Sequence, residues 1–276
     1  MKLRKRIVWE LREFFRADRA ARADVRRALA RDVVGRAPSG EHLTDETRLD
    51  NLVRLVEGLA PALRQEVLAQ SGYSRSQLLQ DLFVLSELGT HPGFFVEFGA
   101  TDGVRLSNTW LLEKRLGWKG ILAEPAKCWH QRLKANRSCL IEHDCVWRAS
   151  GERLPFLETP DAELATLADY RSVDAHAKSR QSAKAYEVTT VSLSDLMERH
   201  QAPANPDYLS IDTEGSEYEI LRALDFHRYS FKVITCEHND TVSRENIYKL
   251  LTSKGYKRKF ESLPFAEDWF IRNEEW

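Results

Sequence analysis

The residues best suited to chemistry are acids that stand at the ends of apolar runs. Glu97 lies within Phe94-Phe95-Val96-Glu97-Phe98, just ahead of the short loop Gly99-Ala100-Thr101-Asp102-Gly103. Glu124 follows Gly120-Ile121-Leu122-Ala123 and precedes Pro125, and Asp144 ends the segment 139–144. Asp212-Thr213-Glu214-Gly215 and Glu237-His238-Asn239 each follow an apolar run as well. Carboxylates in such places accept hydrogen bonds from hydroxyl groups, stabilise a bound cation or move protons. Asp212, Glu237 and His238 are the candidate catalytic groups, with His238 the candidate base. A lone histidine after a strand is more often a satisfied structural residue. This one follows the strand after the Asp212 loop, which favours acid–base work. Asp212, Glu214, Glu237 and His238 are also a candidate ligand set for a hard divalent cation such as magnesium.

The Gly99–Gly103 loop narrows the ligand. Strand, glycine turn and helix open a nucleotide-binding α/β unit, and glycine allows close approach of a ligand to the backbone. The loop has neither Gly-x-Gly-x-x-Gly nor the Lys-Ser/Thr of a P-loop. Glu97 and Asp102 would repel a pyrophosphate but suit a cationic, ribose-bearing molecule, which fits S-adenosylmethionine. Glu124 lies 21 residues beyond Gly103. Roughly that interval, about 20 residues, separates glycine loop and ribose-binding acid in Rossmann-like folds. An ordinary surface glutamate favoured by a following helix is the plainer alternative.

Strands are expected at 94–98, 120–124, 139–144, 186–191, 207–212, 231–237, 256–262 and 268–272. Helices are expected at 107–116, 126–135, 192–200, 215–224 and 243–254. This alternation predicts a mainly parallel sheet covered by helices on both faces, with ligands at the carboxyl ends of its strands. Tyr256 to Glu261 and Trp269 to Arg272, joined through Leu263-Pro264, read as an antiparallel hairpin at the sheet edge. Residues 150–185 read as the least regular part, a substrate-facing insertion or lid. Ahead of the sheet, helices are expected at 44–59, 61–68 and 76–85, giving a helical extension over 1–74 and a catalytic domain over 75–276.

The chain has 276 residues, 42% of them apolar, and a net charge of −1. Residues 1–36 hold twelve Lys/Arg against five Asp/Glu, a balance of +7 that leaves −8 for the remainder. An acidic catalytic part argues against nucleic acid as substrate. Within 1–36, Leu3, Ile7, Leu11, Phe14 and Phe15 form one helical stripe among arginines, with Trp9 at its flank. That stripe either packs on the catalytic domain or a second subunit, or lies on anionic lipid at the inner face of a membrane. Cys128, Cys139, Cys145 and Cys236 show no metal-ligand spacing and read as buried free thiols of a reducing cytoplasm. No signal-peptide pattern and no run of 18 apolar residues is present, so neither export by that route nor a membrane span is expected.

The segments GFFVEFGATDG, LSNTWLLEKRLGWKGILAEP, ANRSC, YLSIDTEGSEYEIL and VITCEHN resemble those of the FkbM family of S-adenosylmethionine-dependent methyltransferases. SRSQLLQDLFVL resembles a lead-in helix of one branch of that family. The likeness covers about residues 75–272. It implies a class I methyltransferase fold, a Rossmann-like doubly wound sheet of seven strands whose last strand is antiparallel. It implies O-methylation, often of sugar hydroxyls in polysaccharides or of natural-product hydroxyls. By this resemblance Gly99–Gly103 wraps the methionine part, Glu124 holds the ribose, Asp144 or Cys145 meets the adenine, and Asp212 sits beside the sulfonium. The implied cofactor-binding set is Glu97, Gly99, Ala100, Thr101, Asp102, Gly103, Asn108, Glu124, Pro125, Asp144, Cys145 and Asp212. Thr213 stands where many members carry valine.

The expected activity is therefore methyl transfer to a carbohydrate hydroxyl, with polysaccharide or glycolipid as acceptor. Methylation of a secondary-metabolite hydroxyl is the alternative within the same chemistry. A non-catalytic binding module is the alternative outside it, and the intact acidic and glycine positions argue against that.

Overall fold

The computed structural model describes residues 45–173, 175–261 and 266–273. They form two compact units, divided in the chain between His91 and Pro92. The expected helical stripe within 1–36 lies outside the described residues. Among those described, no helix is long and apolar enough to cross a membrane.

The first unit holds helices α1 (Asp45–Val56), α2 (Pro61–Gln70) and α3 (Gln80–Leu88). Pro61 opens α2, where a missing N–H costs nothing. The sequence expects the third helix from residue 76, but it starts at Gln80 because nearby side chains claim the donors. Asp81 Oδ1 accepts from Ser74 Oγ at 2.7 Å and from Leu82 N at 2.8 Å, while Ser76 Oγ accepts from Asp81 N at 3.2 Å. This helix, assigned from sequence to the catalytic domain, lies in the first unit.

The second unit begins with β1 (Phe94–Phe98), β2 (Lys119–Ala123) and β3 (Leu140–Glu142). Then come β4 (Cys145–Trp147), β5 (Arg153–Glu158), β6 (Thr166–Leu167) and β7 (Lys184–Ser192). β8 (Tyr208–Ile211), β9 (Val233–Glu237), β10 (Tyr256–Lys259) and β11 (Glu267–Arg272) close it. Helices α4 (Trp110–Leu116), α5 (His130–Asn136), α6 (Leu193–Arg199), α7 (Glu217–Ala223) and α8 (Ser243–Ser253) connect the strands.

The main sheet has the order β10-β11-β9-β8-β1-β2-β3. β1 runs parallel to β2 and β8, β2 to β3, and β8 to β9, whereas β11 is antiparallel to both β9 and β10. This is the doubly wound sheet with an antiparallel last strand that the sequence predicts. β1 to β2 lead one way from the middle and β8 to β9 the other, so the crevice opens at the ends of β1 and β8. Phe98 pairs with Ala123, and Ile211 with Cys236, which brings the loops after all four strands to one edge. Val96, Phe98, Ile121, Leu209, Ile211, Ile234 and Phe270 sit in the main core, almost wholly buried. Each large side chain buried this way contributes roughly 1.5–3 kcal/mol.

Three expectations are corrected. The helix expected over 107–116 begins only at Trp110, since Ser107, Asn108 and Thr109 turn their polar groups onto the Glu97 carboxylate. The strand expected over 139–144 is cut to β3, because Glu142 Oε1 accepts from both His143 N and Asp144 N and bends the chain; β4 starts beyond it at Cys145. The segment 150–185 is more regular than expected. β5 pairs antiparallel with β6 and β7, and β7 pairs parallel with β4, making a second sheet ordered β4-β7-β5-β6. Trp147, Phe156, Leu167 and Val188 form its own small core.

Candidate functional site

The loop after β1 is held in shape by charge and by glycine. Gly99 has φ of +72°, and a Cβ there would stand 2.1 Å from the Asp212 carbonyl oxygen. Gly103 has φ of +77°, and its Cβ would meet Arg137 Cγ at 2.5 Å and Leu133 Cδ1 at 2.7 Å. Only glycine fits either place. Thr101 is left-handed too, at φ of +47°, and its N–H donates to Glu124 Oε2 at 2.8 Å. Asp102 turns inward on its own loop, accepting from Val104 N at 2.8 Å and Arg105 N at 2.9 Å. It shapes the turn and is already engaged.

Glu97 has a similar inward role. Asn108 N donates to Oε1 at 2.7 Å, Ser107 Oγ and Thr109 Oγ1 donate to Oε2, and the Arg137 guanidinium lies 3.8 Å away. Burial pushes its carboxyl up, while Arg137 and these donors pull it back. Arg137 is almost fully buried and also donates to Gly103 O at 3.1 Å, Ser107 Oγ at 3.0 Å and Thr109 Oγ1 at 2.9 Å. Sequence reading gave Arg137 no role. The signal was there, since an acid inside an apolar strand requires a cation or several donors. Asn108 gives its amide Nδ2 to Ser210 Oγ at 2.9 Å, and its Oδ1 is buried with no hydrogen bond. A buried acceptor of that kind suits a ligand's donor.

Glu124 stands at the end of β2, beside this loop. Its Oε1 accepts from Ala126 N and its Oε2 from Thr101 N, both at 2.8 Å. Pro125 is therefore bridged by Glu124 rather than beginning a helix, and α5 starts at His130. Burial pushes Glu124 up to about 7, opposed by those two N–H groups, with Asp212 and Glu158 adding repulsion. A carboxyl raised in this way stabilises the free fold below the ordinary carboxylate range and stops doing so as pH rises through about 7. A cationic ligand favours the ionised form. Binding of S-adenosylmethionine at pH 7 is therefore predicted to expel protons, and affinity to rise from pH 6 to pH 8. Calorimetric titrations in two buffers of different ionisation enthalpy measure this, and equal heats in both would refute it.

Asp144 lies further along the same edge, its Oδ2 paired with Arg199 Nη1 at 2.9 Å. Cys145 next to it is buried, and burial pushes its thiol up to about 12. The four cysteines are free as expected, but only Cys145 and Cys236 are buried; Cys139 is partly exposed and Cys128 exposed.

The second half of the site is acidic. Asp212, Glu214 and Glu237 each place a carboxylate oxygen within 4.8 Å of the others. The Asp212 loop owes its form to Glu217, whose Oε1 accepts from Thr213 N, Thr213 Oγ1 and Gly215 N, each at 2.9 Å. Glu214 and Gly215 both take positive φ, +59° and +121°. Burial raises Asp212 to about 6, with the hydrogen-bonded Glu237 drawing it down. Burial and the Asp212 charge push Glu237 well above the carboxylate range. Two carboxyls buried this close disfavour ionising together.

His238 is not brought onto this cluster. Its Nδ1 accepts from Asp240 N at 3.0 Å, which places its proton on Nε2, facing Asp268 Oδ1 at 3.7 Å. A nitrogen that accepts from the backbone is not free to take a substrate proton, so the base role expected for His238 does not match its placement. Nor does His238 join the three acids as a metal ligand, and the Arg180 guanidinium already pairs with Glu214 at 2.8 Å. His238→Ala is predicted to cost about 1–3 kcal/mol of stability, by leaving Asp240 N without its acceptor and emptying a buried site beside Asp268, which keeps its pairs with Arg244 and Arg258. Turnover should fall less than about tenfold, below the loss expected of a base. Denaturant melts and rate measurements decide it, and a large rate loss at unchanged stability would return the base role to His238.

The fit to a cationic nucleoside ligand is good. Exposed Gly99, the Glu124 carboxylate, a buried acceptor on Asn108 without a hydrogen bond and the three acids all stand at the carboxyl edge of the sheet. The family model for the methyltransferase FkbM domain matches residues 97–258, more than half of the chain. No curated protein matches the chain. Among solved structures, it is similar to a methyltransferase FkbM from Methylobacillus flagellatus KT. The identity is 12% over 84% of this chain, with a TM-score of 0.43, and the chain spans 56% of that protein's length. It is also similar to a precorrin-6y C5,15-methyltransferase from Geobacter metallireducens GS-15, at 13% identity, 69% and 85% coverage of the two chains, and a TM-score of 0.37. A ribosomal protein L11 methylase from Lactobacillus delbrueckii subsp. bulgaricus shows 8% identity, 78% and 84% coverage, and a TM-score of 0.37.

Proposed function

The chain belongs to the FkbM methyltransferase family, and from that premise we propose that it methylates a hydroxyl of a carbohydrate, in a polysaccharide or glycolipid. S-adenosylmethionine, when bound, supplies a methyl group made electrophilic by the positive sulfur that carries it. The residues assigned to hold it are Gly99 to Gly103 and Asn108 beside β1, Glu124 and Pro125 after β2, and Asp144 and Cys145 after β3. Glu97 and Arg137 act behind them, fixing the loop from within.

Asp212 is the proposed base. Burial raises its carboxyl to about 6, toward the working range of a general base, and raises that of Glu237 beside it further. A sugar hydroxyl is a weak nucleophile, so an acid held close to it and ready to take its proton matters to the rate. With cofactor bound, Asp212 would hold the acceptor hydroxyl and take its proton, and Glu237 would orient a neighbouring hydroxyl. The observation that carries the carbohydrate reading is this set of three acids within 4.8 Å, which offers several acceptors to a molecule rich in hydroxyl donors. The site's acids also disfavour an anionic acceptor such as nucleic acid. A cytoplasmic setting, with residues 1–36 touching a membrane surface or a second subunit, belongs to the same proposal.

The test uses S-adenosylmethionine labelled in its methyl group, incubated with the protein and glycan fractions of its native host. Label recovered as an O-methyl sugar after hydrolysis supports the proposal. Label recovered only in small, non-carbohydrate hydroxyl compounds would replace it with the secondary-metabolite reading. Bound cofactor with no transfer to either pool would leave a binding module.

A further inference from the structure

Arg180 belongs to no motif in the sequence. It sits between β6 and β7, in the segment read as an irregular insertion, and is 4% exposed. Its Nη2 pairs with Glu214 Oε2 at 2.8 Å, its Nε donates to Leu164 O at 3.1 Å, and its Nη1 to Tyr170 O at 3.5 Å. One guanidinium thus joins three points: two backbone turns of the insertion and the acid of the Asp-Thr-Glu-Gly loop. Other contacts follow the same seam. Thr166 Oγ1 donates to Glu214 O at 3.0 Å, and Gly215 is so close to the insertion that a Cβ would meet Tyr170 Cδ1 and Val173 Cγ2 at 2.9 Å. At the other end, Glu163 pairs with Arg105 of the cofactor loop at 2.6 Å, and Ala162 O accepts from Trp129 Nε1 at 3.4 Å. The insertion is therefore fastened both to the loop that takes the cofactor and to the loop that takes the proton.

We propose that Arg180 is the positioning residue of this methyltransferase, holding the Asp212–Gly215 loop against the insertion and supplying the positive charge that offsets its three acids. The proposal rests on the methyltransferase reading and extends it to a residue outside the glycine loop and the strand-end acids. A buried ion pair is weak evidence of stability alone, because desolvation offsets its attraction. Its value here lies in geometry. Glu214 stands within 4.8 Å of Asp212 and also accepts from Asn239 Nδ2 at 3.4 Å, so without Arg180 its charge is less well offset, repels Asp212 and shifts the loop. Arginine suits the task where lysine does not, since its planar fork reaches three oxygens at once.

The experiment compares the full chain with Arg180→Ala, Arg180→Lys and the double variant Arg180→Ala/Glu214→Gln. Three quantities are read: cofactor affinity by calorimetry, labelled-methyl transfer to host glycan at saturating cofactor, and amide exchange over 159–173. Arg180→Ala is expected to lower the saturated rate at least 30-fold, leave cofactor affinity within threefold, and speed exchange over 159–173. Arg180→Lys should recover part of the rate. The double variant should regain at least tenfold over Arg180→Ala, because it removes the carboxylate charge that Arg180 offsets; this recovery separates positioning from a simple cross-link. Wild-type rates in Arg180→Ala, or a double variant no faster than the single, would overturn the proposal. If the wild-type chain binds cofactor but methylates no glycan, the carbohydrate reading fails by itself, and the exchange arm decides Arg180: unchanged protection in Arg180→Ala overturns it.

Discussion

Gly99→Ala is expected to abolish useful binding of S-adenosylmethionine. The added Cβ would stand 2.1 Å from the backbone oxygen of Asp212, and no side-chain rotation relieves a contact with backbone. A left-handed conformation costs a residue with a side chain about 1–2 kcal/mol, and overpacking adds about 1–3 kcal/mol. Relief requires the ends of β1 and β8 to part, which opens the crevice between the cofactor loop and Asp212. Since about 1.4 kcal/mol is tenfold in affinity, the dissociation constant should rise at least 30-fold and the melting temperature should fall. Gly151→Ala is the control: it has φ of +80°, but a Cβ there meets nothing within 4 Å. It should show the conformational cost without loss of binding. Calorimetric titration of both variants measures the difference, and normal affinity in Gly99→Ala would remove the loop from the binding site.

Asp212→Asn is expected to reduce turnover by about 10²–10⁴-fold, the range for loss of a positioned base. Cofactor affinity should change far less, because Glu124 and the glycine loop are untouched. The pH profile gives an independent check. A base must be ionised to act, so the wild-type rate should climb about tenfold per pH unit below the apparent value of the pair and level off above it. With Asp212 raised to about 6, that limb falls near pH 6, and it should vanish in Asp212→Asn. An Asp212→Asn rate close to wild type would exclude it as the base.

Much of the sheet was legible because a strand buried on both faces must be nearly all apolar. Phe94–Phe98, Tyr208–Ile211 and Val233–Glu237 emerged close to their expected limits for that reason. Element ends were less legible. At Ser107–Thr109 and Glu142 the local pattern continued, yet side-chain hydrogen bonds to a buried acid ended the element early. Residues 150–185 were misread because β5 alternates only weakly. It contains Pro155, and its partner β7 lies some thirty residues away, a pairing that no local period announces.

The site divides along the same physical line. By itself the sequence determined which acids and glycines stand at strand ends, because an apolar strand run followed by glycine or an acid places that residue at the strand's carboxyl end. Glu124, Asp212, Gly99 and Gly103 all emerge there. Only the tertiary structure decided what each acid faces. Glu97 and Asp102 are spent on their own loop, and His238 is turned toward Asp268 by the backbone N–H of Asp240. Arg137 and Arg180 arrive from helix and insertion to meet Glu97 and Glu214. Spacing along a chain fixes the edge of the sheet at which a residue emerges, but hydrogen bonds and ion pairs form between segments far apart in sequence, and those set direction, protonation and role.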